Sequence, residues 1–103
     1  MARPYSQKFL MELFSKEDDA VGARLARACV RANLGTAHVA RAFDVSRATI
    51  HSWFRGSKIL RKRHELIDTF IGLVEKDMEA GDLPVTNAKQ SKHYIETMLG
   101  RRL

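Results

Sequence analysis

With 103 residues, the chain has room for one hydrophobic core and not for two. A hydrophobic content of 45 % excludes a globally disordered chain, and a single cysteine excludes an intramolecular disulfide, so a reducing compartment is the simpler expectation. Eighteen Lys and Arg against twelve Asp and Glu leave a formal charge of +6, which suits nucleic acid or an acidic membrane surface as partner.

The charge is unevenly spread. Residues 20–64 hold ten Lys or Arg and one acid, Asp44, an excess of +9, whereas residues 1–19 sum to −1 and residues 65–103 to −2. Nothing near the start reads as a signal peptide, since the apolar residues Phe9, Leu10, Met11, Leu13 and Phe14 are interrupted by Glu12. The longest apolar stretch, around Phe70 to Val74, is far shorter than the roughly 20 residues of a bilayer span. A soluble, cytoplasmic chain with no membrane partner is expected.

In chain order, Tyr5, Phe9, Leu10, Leu13 and Phe14 recur at helical spacing and predict a packing helix near residues 6–14. Ser15-Lys-Glu-Asp18 reads as a capping box, with Glu17, Asp18 and Asp19 in the first turn of a second helix. That helix carries Val21, Leu25, Ala28, Cys29 and Ala32 on one face and closes at Asn33-Leu-Gly35. Arg24, Arg27 and Arg31 form a basic stripe on another face, either a solvated surface or a source of phosphate contacts. Cys29 has no His or acid at helical spacing and reads as a small core residue.

The stretch 36–56 predicts two short helices joined by a tight turn, a helix-turn-helix. Thr36 is the expected N-cap of the first, which runs to about Phe43. Asp44 occupies the turn and is one of the few residues that tolerates φ > 0 there. Ser46 caps the second helix. Val39, Ala40, Phe43, Val45, Ile50 and Trp53 are the positions to be buried where the helices cross, and Ala40 is small enough to let them approach. Arg47, Ala48, Thr49, His51, Ser52 and Arg55 are left facing outward, a small, polar and basic surface suited to a DNA groove.

Gly56-Ser57 ends this helix, and Lys58, Arg61, Lys62 and Arg63 follow it as candidate phosphate contacts. A long helix comes next, with Leu66, Ile67, Phe70, Ile71, Leu73, Val74 and Met78 in an apolar stripe wider than one small core needs. Gly81 and Pro84 stop it. Asn87-Ala-Lys-Gln90 is a second capping box, and Ala88, Ser91, Tyr94, Ile95, Met98 and Leu99 line one side of a last helix. Every segment prefers helix. The expected fold is all-α, a compact domain of five to six helices: residues 1–83 form the helix-turn-helix domain with its packing helix, and residues 84–103 a helical extension able to serve in dimerisation.

The segment Val45-Ser-Arg-Ala-Thr-Ile-His-Ser-Trp-Phe-Arg-Gly56, preceded by Val39-Ala40 and Phe43, resembles the helix-turn-helix of the Cro and lambda-repressor-like superfamily. Asp44 departs from the glycine usual at the turn. The resemblance implies a compact helical domain that reads palindromic double-stranded DNA as a homodimer and regulates transcription, in a bacterial or phage-infected cell. By position it implies base-edge contacts from Arg47, Ala48, Thr49, His51, Ser52 and Arg55, with Arg47 on a guanine and Ala48 or Thr49 against a thymine methyl. Thr36, opening the preceding helix, would hold a phosphate. The dimer interface would be the last helix, the 66–78 stripe, or both. A second reading is a protein-interaction module on the same scaffold, binding a polymerase or another regulator. An enzyme is not expected, and neither are a metal, a cofactor or a small-molecule substrate. Glu75, Asp77, Glu79 and Asp82 do not form a metal-binding cluster on one helical face, the four histidines lack zinc-ligand spacing, and there is no Gly-rich phosphate loop.

Overall fold

The computed structural model describes residues 5–15 and 20–100, and within them the side chains of all but 12–15. Among the described residues six α-helices follow one another: α1 (Gln7–Ser15), α2 (Val21–Ala32), α3 (Thr36–Phe43), α4 (Arg47–Phe54), α5 (His64–Glu79) and α6 (Ala88–Leu99), with a 3-10 turn at Arg61–Arg63 before α5. The described residues contain no strand. The fold is all-α, as the sequence predicts. Among the described residues, no helix is long and apolar enough to cross a membrane.

The helix ends follow from local chemistry. Ser6 Oγ accepts from the Phe9 N–H at 3.2 Å and opens α1. Helix α2 does not start at Ser15 as expected: Ser15 ends α1, α2 begins at Val21, and its N-cap Ala20 offers no side-chain acceptor. Glu17, Asp18 and Asp19 lie outside the described residues. Asn33 closes α2 in the left-handed region at φ 60°, and the Leu34 N–H reaches back to the Cys29 carbonyl at 2.9 Å. Gly35, not Thr36, is the N-cap of α3, so Thr36 is its first helical residue and is buried.

Helix α2 is the central element, packed against α5, α4 and α1. Its Leu25, Ala26, Cys29 and Ala32 are fully buried. Burial also pushes the Cys29 thiol pKa up, so this cysteine is an inert core residue rather than a nucleophile. Gly22 sits against the last turn of α4. A Cβ added there would lie 2.4 Å from the Trp53 carbonyl oxygen. From α5, Ile67, Phe70, Ile71 and Val74 enter the core, with the Phe70 ring 5.0 Å from Phe43. Leu66 and Leu73 stay outside, which accounts for the excess width of the apolar stripe.

Helix α6 packs across α3 with Ile95 fully buried. Asn87 caps it by accepting from the Gln90 N–H at 2.8 Å. The reciprocal half of the box is displaced by one residue, because Gln90 Oε1 accepts from the Thr86 N–H and hydroxyl, both at 2.9 Å. Ser91 is buried at the junction with α3. Its Oγ accepts from the Gly35 N–H at 3.1 Å and lies 2.8 Å from His38 Nδ1, within hydrogen-bond distance.

Burial lowers the His38 pKa, the nearby Lys92 lowers it further, and Glu96 opposes both. The unfolded chain therefore binds the proton more readily than the folded one. Stability is complete above the unfolded pKa of about 6.5 and declines as pH falls below it toward the folded value. Denaturant midpoints taken from pH 7.5 to 5 should fall, and His38→Gln should flatten that part of the profile.

A candidate nucleic-acid interface on helix α4

Helix α4 is held from within and bare on its outer side. Asp44 takes φ 55° and ψ 46°, and the Val45 N–H bonds the Ala40 carbonyl at 3.0 Å, so three residues suffice to turn the chain from α3 into α4. Asp44 thus adopts the left-handed conformation expected of it. Ser46 then caps α4, its Oγ accepting from the Thr49 N–H at 3.1 Å. Ser46→Ala should cost about 1 kcal/mol in chemical denaturation. Ile50, Trp53 and Phe54 anchor the inner side, and the Trp53 ring meets Phe43 edge-on at 6.0 Å. Of the six positions expected at the crossing, Val39, Ala40, Phe43, Ile50 and Trp53 are buried, while Val45 is half-buried at the rim of the turn.

The outward surface carries Arg47, Ala48, Ser52 and Arg55, all exposed. Thr49 and His51 are half-buried and already engaged. The Thr49 hydroxyl lies 3.0 Å from Ser46 Oγ, and His51 Nε2 lies 3.4 Å from Thr36 Oγ1. Thr36 therefore turns its hydroxyl toward His51, and what the start of α3 offers outward is backbone rather than that side chain. This contact links two candidates that stand 15 residues apart in sequence.

Helix α1 adds a wall that the sequence does not announce. Tyr5, Phe9 and Phe54 form a cluster with ring centroids 5.8 to 6.3 Å apart, and the Tyr5 hydroxyl donates to the Leu34 carbonyl at 2.7 Å. A slot of about 170 Å³ opens between these rings and His51 and Arg55. The aromatic periodicity of residues 5–9 signals a buried face, but not that the face covers the end of α4.

The basic run after α4 divides. Ile59 is buried and pins the loop, and the His64 ring nitrogen Nε2 lies 3.0 Å from its carbonyl. The Arg63 guanidinium carbon lies 5.8 Å from the Trp53 ring centroid, and this half-buried residue closes the outer side of the indole. Lys58, Arg61 and Lys62 remain exposed.

The arginine stripe of α2 faces the acidic side of α5. Arg24 Nη1 bonds Asp68 Oδ1 at 2.9 Å, and Arg24, Arg27 and Arg31 share a groove with Glu75 and Glu79. Part of the +9 counted over residues 20–64 is therefore answered by acids further along the chain. The exposed cations that accompany α4 are Arg47, Arg55, Lys58, Arg61 and Lys62.

Among the described residues, no three His, Cys, Asp or Glu side chains come together as a metal site. His38, His51 and His64 are each engaged separately, by Ser91, Thr36 and the Ile59 carbonyl. The Tyr94 hydroxyl donates to Asp77 Oδ2 at 2.6 Å, and burial followed by that bond pushes its pKa up, so it serves as a structural tie between α6 and α5. Comparison with protein families, with characterised proteins and with solved structures returns no match to this chain.

Proposed function

We infer that the chain is a sequence-specific double-stranded DNA-binding transcriptional regulator of the Cro and repressor type. In this reading α3 and α4 are its helix-turn-helix and α4 enters the major groove. The observation that carries the reading is the asymmetry of α4. Ile50, Trp53 and Phe54 fix one side in the core, while Arg47, Ala48, Ser52 and Arg55 stand free on the other. A rigid helix that presents short and basic side chains can approach base edges closely without paying to order them. Lys58, Arg61 and Lys62 would hold phosphates beside the groove, and the backbone at the start of α3 would hold another. Two copies would read a palindromic site, since one helix in one half-site gives only modest affinity. Regulation of transcription, in the cytoplasm of a bacterial or phage-infected cell, follows from the resemblance of residues 36–56 and not from the geometry.

The test is selection of bound sites from a random DNA pool at stated salt. A symmetric motif is the expected result. Neutralising about five phosphates should give a log–log salt slope near −4.5. Absence of enrichment, together with a protein partner retained after nuclease treatment, would instead support the interaction-module reading.

A further inference from the structure

The outer face of α5 is more apolar than the fold explains. Leu66 and Leu73 are 55 % and 42 % exposed and stand seven residues apart, so they lie along one stripe of the helix. Thr69 lies between them, also exposed. Gly72 lies alongside in mid-helix, where an added Cβ would meet open space. Glycine weakens a helix interior, and no contact among the described residues asks for it here. The same face carries exposed charges of both signs near its ends, Glu65 and Lys76 among them.

We propose that this face of α5 binds the same face of a second copy of the chain, antiparallel, about a two-fold axis passing near residue 70. Such an axis sets Leu66 against Leu73 of the second copy and Thr69 against its Gly72. It also sets Glu65 against Lys76 of the second copy. All three pairings share nearly the same midpoint, so the apolar, small and charged pairs come into register together, and symmetry forms each of them twice. The small pair at the centre permits close approach of the two helices, with the leucines beside it and the ion pairs at the rim. A parallel arrangement would instead set Glu65 on Glu65 and Lys76 on Lys76, which like-charge repulsion disfavours. The inference deepens the DNA-binding reading by locating its two-fold axis.

The experiment is sedimentation equilibrium of the full chain without DNA, with the helical circular dichroism of every variant checked alongside. The wild-type chain should be dimeric, and Leu73→Glu should raise the dissociation constant at least about tenfold. Glu65→Lys and Lys76→Glu should each raise it about threefold, and the double variant should restore it. These two substitutions are at exposed sites, so they remain informative even if Leu73→Glu perturbs folding. A wild-type chain that stays monomeric to about 200 µM overturns the proposal. So does a double variant that associates no better than either single one. Because DNA is absent, such a failure leaves the DNA-binding reading untouched, whereas a dimer that selects no motif would sink that reading and not this face.

Discussion

Gly22→Ala is expected to destabilise the fold by about 1–3 kcal/mol, although it adds one methyl group and favours helix by intrinsic propensity. The added carbon would stand 2.4 Å from the Trp53 carbonyl oxygen and 3.2 Å from its carbonyl carbon. Both are backbone atoms, so no side-chain rotation relieves the overlap. Either the first turn of α2 or the last turn of α4 must move. Trp53 is packed against Phe43 and covered by Arg63, which means that a displaced α4 loosens the core on two sides. For a chain of this size, each kcal/mol lowers the melting temperature by about 4–8 °C. Gly35→Ala is the control, because its added carbon meets the His38 ring at ordinary distances, 3.5 Å from Nδ1 and 3.9 Å from Cε1. Replacing a glycine N-cap by alanine there should cost less than about 1 kcal/mol. Thermal melts of the two variants measured side by side check the contrast, and equal losses would show that the α2–α4 approach is not the sensitive contact.

The contrast also shows what kind of information the sequence holds. Asp44 in the turn, Ser46 as a cap and the burial of Val39, Phe43, Ile50 and Trp53 are all readable, because each follows from chemistry within a few residues or from a period of 3.6. Contacts between distant segments leave no such trace. Gly22 meets Trp53, Arg24 meets Asp68, and Ser91 meets Gly35 across 56 residues, and nothing periodic marks any of these pairs. At the displaced α3 cap too, a distant residue intervenes unannounced: Ser91, from α6, accepts from the Gly35 N–H. The outward residues of α4 are legible as a set, because they are what the buried period leaves over. Their division is not, since Thr49 and His51 turn to Ser46 and Thr36 while Arg47, Ala48, Ser52 and Arg55 stay free of the core. Charge counted over a window misleads in a related way, because α5 brings Asp68, Glu75 and Glu79 back beside the arginines of α2.

Arg47→Ala should weaken binding to the selected site by about 1–3 kcal/mol and relax preference at one base position, with the melting temperature nearly unchanged. Arg47 is the first residue of α4 and is exposed, so truncation removes a long donor without opening the core. Its guanidinium carries donors in a planar fork that matches O6 and N7 of guanine, a pairing that lysine cannot reproduce. Arg47→Lys should therefore recover the charge and little of the base preference. Lys58→Ala supplies the comparison. Lys58 lies in the loop beyond Gly56, exposed, next to the buried Ile59 that pins its position. A phosphate contact from that site should be lost equally on matched and mismatched DNA, and the salt slope should fall in magnitude by about 0.9. Titrations of each variant against the selected site and against single-base changes, at two or more salt concentrations, separate the two roles. If Arg47→Ala instead weakens every sequence alike, Arg47 contacts the backbone. Base reading would then fall to Ala48, Ser52 and Arg55, the other exposed positions of that surface. Of these only Arg55 has comparable reach, and it stands at the C-cap of α4 beside the aromatic slot formed with Tyr5 and Phe9. A reader at that end would shift the recognised base toward the side covered by α1, a displacement that the selected motif itself would record.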